Sequence, residues 1–397
     1  MRPIRAVRLR ALSLALAVAL ATLALGAGCT ESEDEAPAPG ATTAPATLDA
    51  DEGVPGVSDS RILFGQSAAF TGPAEGLGLE MRRGIEAAFH ERNEAGGVHG
   101  RTLELTSLDD AYETDFAFAN TRRLIFRDQV FALIGEVGTP TSRAASPVAH
   151  DAGVPFIAPF TGAEFLRDPD LDNVLNLRAS YYQETEEMVA RLTDELGVTR
   201  VAVLYQNDSF GQSGLDGATA ALARRGLEPV ASWFYPRNTD AVKMAVLEIA
   251  DARPEAVIMV GAYRPVAKAI VLLRERIDPV FMVISFVGSN ALAEELGRAG
   301  AGVYITQVVP QPDDDSIPVV AAYQQALAAS DPDATPGFVS LEGYLAGGWR
   351  SRGSSSAVPT WTASASSTPF ATRGPWTSAA CCSSSGRTIT RGRMGCS

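Results

Sequence analysis

Two short apolar runs, Phe131–Gly135 and Val154–Ala158, each end at once in a loop of Gly, Thr, Pro and Ser, and a helix-length segment, Ser142–Gly153, lies between them. Two parallel strands need a crossover long enough to hold a helix. The stretch 132–167, ALIGEVGTPTSRAASPVAHDAGVPFIAPFTGAEFLR, therefore reads as one βαβ unit. It leaves an open polar loop at the carboxyl end of each strand, and in open parallel sheets small ligands sit in those crevices. Hydroxyls and free backbone N–H groups there suit a carboxylate or another compact polar group.

The same alternation extends over 58–347. Strands are predicted at Arg61–Ala68, Thr102–Leu108 and Asn173–Arg178, and helices at Glu75–Asn93, Thr114–Arg127 and Glu184–Leu196. On the first helix Met81, Ile85, Ala88 and Phe89 share one face. A second series then follows. Its strands are Arg200–Tyr205, Glu228–Ser232, Ala256–Gly261, Val280–Ser285 and Gly302–Val308. Its helices are Gly211–Arg225, Ala241–Ala252, Val266–Arg276 and Ala291–Ala299. The strands are near-continuous apolar runs, as expected where helices cover both faces of a parallel sheet. The fold class expected is α/β, with two doubly wound parallel-sheet lobes. Val309–Pro318 reads as a crossing back between the lobes, and Phe338–Gly347 as the start of an amphipathic helix.

Both ends differ from this body. Residues 1–28 read as a signal peptide: four arginines in the first ten residues, then an apolar run, Ala11–Ala27. Leu25-Gly26-Ala27-Gly28-Cys29 resembles a bacterial lipobox with its leucine one place early. It makes Cys29 the lipidated first residue, with cleavage of an ordinary signal peptide nearby as the alternative. Residues 29–57, rich in Glu, Asp, Pro, Ala and Thr, read as a disordered tether. After residue 347 the pattern stops. Residues 348–397 are rich in Ser, Thr and Arg and hold no Leu, Asp, Glu or Lys, yet carry Trp349, Trp361, Trp376, Cys381, Cys382 and Cys396. A natural Ser/Thr-rich tail is one reading. The tryptophans and the adjacent cysteines favour the other, an aberrant segment translated out of frame from about codon 348.

Charge and missing chemistry exclude several functions. The 47 acids all lie between the two arginine-bearing ends, so the body is more acidic than the net −14 of the whole chain. Such a body repels phosphates, and nucleic acid is not expected as a partner. The body carries no cysteine after Cys29, hence no disulfide is expected there. The three histidines, His90, His99 and His150, read as surface or packing residues. There is no nucleophile elbow, P-loop or dinucleotide fingerprint. Asp109-Asp110 reads more readily as a turn cap than as an acid/base pair, and Asp313-Asp314-Asp315 lacks the rest of a calcium-loop pattern. No enzyme activity, cofactor or metal is expected.

With these features in place, the chain resembles the type I periplasmic solute-binding proteins of the leucine/isoleucine/valine-binding class. The marks are ILFGQSAAFTGP at 62–73, NEAGGVHGRTLEL at 93–105, LDDAYE at 108–113, the 132–167 stretch, LYQNDSFGQSG at 204–214, VGAYRP at 260–265 and GFVSLEGY at 337–344. The resemblance implies two lobes joined by three crossing segments and closing on a ligand by a hinge motion, with 58–178 plus 310–347 as lobe 1 and 179–309 as lobe 2. It implies an exported, lipid-anchored receptor on the outer face of the membrane that hands a small molecule to an ABC permease and ATPase. A sensor feeding a separate signalling partner is the alternative.

The resemblance also carries over site residues. Gly138, Thr139, Phe160, Thr161 and Gly162 match positions that hold a ligand carboxylate, and Phe70, Thr71 and Gly72 line the same crevice. From the second lobe, Phe210 and Tyr263 match family aromatics. The position of the family's acid, which meets a ligand ammonium, reads Ser285-Phe286-Val287-Gly288 and has no carboxylate. A buried ammonium without a counter-charge is costly. Either Asp208 reaches in, or the ligand is not an ordinary α-amino acid. Phe160, Phe210, Tyr263 and Phe286 together suggest a small carboxylate with an apolar or aromatic body.

Overall fold

The computed structural model describes residues 53–348 and the backbone alone of Ile389 and Thr390. The signal, Cys29 and nearly all of the tether and tail lie outside the described residues. Two α/β sheets follow one another. The first holds β1 (Arg61–Ala68), β2 (Thr102–Asp109), β3 (Ala132–Ile134), β4 (Phe156–Ile157) and β5 (Val174–Leu175) in the order β2-β1-β3-β4-β5. Its crossover helices are α1 (Glu75–Glu94), α2 (Thr114–Phe126) and α3 (Thr139–Asp151). The second sheet begins after α4 (Tyr181–Ala190). It holds β6 (Val201–Asn207), β7 (Ala231–Pro236), β8 (Ala256–Val260), β9 (Val280–Val283) and β10 (Val303–Thr306) in the order β10-β9-β8-β6-β7. Helices α5 (Ser209–Ala223), α6 (Lys243–Ala252), α7 (Tyr263–Arg274) and α8 (Ser289–Leu296) connect these strands. All pairings within each set of five are parallel.

Burial explains why the strands read as unbroken apolar runs. Ile62 and Ile134 pack with Met81 and Ile85 of α1, while their neighbours Leu63 and Leu133 pack with Leu124 and Ala145 of α2 and α3. In the second sheet Val201, Val203 and Ile258 face α5, and Ala202, Leu204 and Val257 face α6 and α7. Successive side chains point to opposite faces, and both faces are covered.

The chain leaves the first sheet after β5 and returns after β10. The return ends in α9 (Pro318–Ser330) and α10 (Phe338–Gly347), whose Val320, Tyr323, Leu341 and Tyr344 pack on Ala87 and Ala88 of α1. The sequence reading placed only a crossing up to Pro318 and missed α9. Pro318 is the first residue of that helix, where its missing N–H costs nothing. Strand β7 runs past the predicted Ser232 through the aromatic run Trp233-Phe234-Tyr235, and at a sheet edge Pro236 is tolerated. Helix α4 starts three residues before Glu184 because Ser180 and Gln183 form a reciprocal capping box. Past Gly348 the described backbone is a two-residue strand, β11 (Ile389–Thr390), antiparallel to β10.

The α1–α10 seam is unusually close. A Cβ on Gly84 would run into the Ser340 carbonyl and come within 2.7 Å of the Tyr344 amide, and Gly343 faces the Met81 carbonyl just as tightly. Neither backbone can give way without separating the helices. Gly84→Ala is therefore expected to destabilise the fold by about 1–3 kcal/mol, the usual cost of overpacking. Urea titration followed by circular dichroism measures this, and an unchanged midpoint would contradict the seam.

Candidate functional site

The carboxyl ends of β3 and β4 meet α3 at one buried point. Gly138 caps α3 with φ near +115°, a conformation that favours glycine, and a side chain there would strike the Tyr112 ring. This lets the helix begin directly at Thr139, beside the Val137–Phe160 bridge. Thr139 Oγ1 and Thr161 Oγ1 lie 2.6 Å apart, both fully buried, and Thr161 Oγ1 is 3.3 Å from the Tyr181 hydroxyl. Gly162 admits Tyr181: its own Cβ would fall 2.6 Å from that ring, and its carbonyl accepts the Tyr181 amide. Three hydroxyls thus gather near the N-terminus of a helix whose first turn has no capping side chain, an arrangement that favours an anion.

Aromatic rings cover this polar point from the other side. Phe286 stands 5.3 Å from Phe160, 4.5 Å from Phe210 and 6.2 Å from Tyr112, and Tyr181 stands 5.4 Å from Phe210. All five are buried within one continuous core cluster that runs between the two sheets. The Phe286 ring occupies the crevice itself.

The structure does not bring together all the residues matched from sequence. Thr71 is exposed and donates its hydroxyl to Asp109 Oδ2 at 2.6 Å, the Phe70 amide donates to Oδ1 of the same carboxylate, and the Phe70 ring lies 4.4 Å from the Arg82 guanidinium. Gly72 turns this exposed loop at φ near +83°. Tyr263, at the start of α7, sits against Gly76 of α1 rather than among the Phe286 rings. Asp208 is a helix cap: Oδ1 accepts from the Phe210 and Gly211 amides and Oδ2 from Gln206. Burial pushes its carboxyl up. With its oxygens so engaged, Asp208 does not supply the missing counter-charge in this arrangement.

Other residues enter that the sequence reading left aside. Tyr112 belongs to the LDDAYE mark, yet its position depends on positive φ at both Ala111 and Tyr112. Its hydroxyl accepts from Gln206 Nε2 at 3.4 Å, and Gln206 Oε1 accepts from Tyr235 at 3.1 Å. Across the same junction Arg237 pairs with Glu113 at 2.6 Å, and Asn238 donates to Glu113 and to the Ala111 carbonyl. These contacts tie the β2–α2 loop to the β7–α6 loop. Among the described residues no group of His, Cys, Asp and Glu could hold a metal ion.

Behind the crevice lie buried acids. Asp110 accepts from Ser67 at 2.8 Å and from the Tyr112 amide, and burial pushes its carboxyl up to about 7. Glu136 is 2% exposed, its Oε1 has no partner, and burial, with Asp110 adding to it, holds its carboxyl well above the usual range.

A family model described as periplasmic binding protein matches residues 62–364. The chain is similar to a possible leucine/isoleucine/valine-binding protein from Rhodopirellula baltica SH 1, with 39% identity, a TM-score of 0.70, and coverage of 75% of this chain and 81% of that one. It is also similar to a substrate-binding periplasmic protein from Ralstonia solanacearum, with 29% identity, a TM-score of 0.68 and coverage of 72% and 82%. Leu/Ile/Val-binding protein homolog 7 of Brucella abortus (strain 2308) is 31% identical over 227 residues, 55% of this chain and 53% of that protein. The chain spans about half the length of the curated relatives it matches.

The buried acids set a pH dependence. Between the ordinary carboxylate range and about 7, the folded protein binds protons at Asp110 that the unfolded chain has released, so stability falls as pH rises through that window. Denaturant midpoints are expected to be higher at pH 5 than at pH 8. Glu136→Gln should raise stability at pH 8 by on the order of 1 kcal/mol, because a neutral amide replaces an unpartnered acid. Midpoints that climb from pH 5 to pH 8, or a Gln variant weakened at pH 8, would contradict this account.

Proposed function

The chain belongs to the periplasmic binding protein family, and from that premise we propose that it is an exported receptor that captures a small carboxylate with an apolar or aromatic body and delivers it to an ABC importer. The buried hydroxyl pair Thr139–Thr161 at the α3 N-terminus, facing the Phe160, Phe210 and Phe286 rings, carries this reading. The polar end offers donors and a helix dipole to a carboxylate. The other end offers ring faces and edges to a hydrocarbon or aromatic group. The segment Ser285–Val287 presents no acid to an ammonium, and Asp208 is engaged as a cap, so a zwitterion gains nothing over a simple acid here. The latch from Arg237 and Asn238 to Glu113 and Ala111 supports a receptor that works by bringing its two sheets together. Relatives that are solute-binding proteins support a binding role over an enzymatic one.

Calorimetry with benzoate, phenylacetate, isovalerate and L-leucine tests the reading. Benzoate, phenylacetate or isovalerate is expected to bind more tightly than leucine. Thr139→Ala and Thr161→Ala should each weaken that binding about 10- to 100-fold, the worth of a hydrogen bond to a charged group. Tight leucine binding without response to the three acids would overturn the ligand class.

A further inference from the structure

Five buried polar residues from widely separated segments meet where the chain passes between the sheets. Arg178 lies on the passage after β5, Glu184 in the first turn of α4, Ser285 after β9, Thr306 at the end of β10 and Glu342 in α10. Arg178 Nη2 donates to Ser285 Oγ, which donates to Glu184 Oε1 at 2.9 Å. The Ser285 amide and the Thr306 hydroxyl both donate to Glu184 Oε2, at 3.0 and 2.6 Å. The guanidinium lies 3.9 Å from Glu184 and 3.7 Å from Glu342, and 4.4 Å from the Phe160 ring. Its Nε and Nη1 have no hydrogen-bond partner. One residue thus touches Phe160 on one wall of the crevice and the Ser285–Phe286 segment on the other.

The charges around it do not balance. Glu184 is held by three hydrogen-bond donors besides the nearby Arg178, whereas Glu342 has the guanidinium at 3.7 Å, with no hydrogen bond from it, and the repelling Glu184. Arg178 is further acted on by Tyr181 and Arg167. On α1, which packs on α10, Glu80 and Arg83 pair with each other, Arg83 also pairs with Asp331, and Glu91 accepts from Tyr344. Among the described residues of this cluster, Arg178 is the one fully buried cation against two fully buried carboxylates, with Arg167 partly exposed beside Glu184, and a second ionised carboxylate there is costly.

We propose that closing the crevice takes up a proton at Glu342, and that Arg178 is the positioning residue that links this proton to the two aromatic walls. Closed, the cluster is dry and Glu342 is best neutral. Opened, water reaches the passage and Glu342 can ionise. Burial pushes the closed-form carboxyl of Glu342 up to about 7, with Arg178 opposing, in keeping with that order. Raising pH therefore favours the open form. The ligand half of this inference rests on the receptor reading above, and the hinge half does not.

Small-angle X-ray scattering of the full chain without ligand tests the hinge. The radius of gyration is expected to grow from pH 5 to pH 8, and Glu342→Gln should hold the compact value at both. Calorimetry of benzoate in buffers of different ionisation heat tests the linkage. Binding is expected to take up to about one proton per site. Affinity should fall up to about tenfold per pH unit between pH 5 and 7 and level off above that, and Glu342→Gln should remove the slope. A radius independent of pH, or the same dependence in the Gln variant, overturns the proposal. If neither benzoate nor any acid of the panel binds, the receptor reading fails while the scattering still decides the hinge. Should the Gln variant fold poorly by circular dichroism, a wild-type radius that fails to grow overturns the proposal by itself.

Discussion

A guanidinium deprived of water is the constraint around which the two halves of this molecule are arranged. Arg178 is 5% exposed, and burial works against its charged form. The attraction of Glu184, and of Glu342 where it is ionised, opposes that penalty and raises its pKa. To do so, an acid from α4 and an acid from α10 must come to the same place, although 158 positions separate them along the numbering. The end of β10 and the turn after β9 must follow, because Thr306 and Ser285 complete the coordination of Glu184. A buried ion cluster of this kind is weak as a source of stability, because desolvation offsets much of the attraction. Its stronger effect is on geometry: few relative placements of the two sheets satisfy every member.

The crevice takes its shape from this arrangement. Phe160 rests against the guanidinium and Phe286 follows the serine bonded to it, so the facing rings are positioned from behind. The hydroxyl pair has a separate origin. It depends on the glycine at 138 and on the register that bridges Val137 to Phe160. A polar anchor fixed by the first sheet and an apolar cover shared between both sheets suit the amphipathic acid proposed as ligand.

The sequence made the local parts of this design legible. An apolar run buried on both faces can be read without knowing its neighbours, which is why β1 and β8 lie where the run of residues puts them. Thr139 and Thr161 came from the family resemblance, and both lie in the short polar loops that end two such runs. Tyr112 was not, since its ring enters the crevice only through two consecutive left-handed residues, a conformation that Ala and Tyr seldom adopt. The bond from Thr71 to Asp109 was not legible, because the two residues stand 38 positions apart in the chain. The Arg178 cluster escaped for the same reason on a larger scale. Single charged residues in separate segments give no local signal, and their meeting follows from the tertiary fold. Helix α9 was overlooked through its composition, since an Ala-rich run opened by proline resembles a continuing connection.

The placement of α9 and α10 bears on how the chain acquires its structure. The strands of the first sheet are complete by residue 175, but the outer face of α1 is covered only by residues 318–347. The second sheet has its five parallel strands by residue 306. During synthesis the earlier half therefore waits for the later one, with Ala87, Ala88 and the glycine seam of α1 uncovered meanwhile. Contacts so distant in sequence form slowly, because a long loop must close before they contribute. The half that begins first is the half that finishes last.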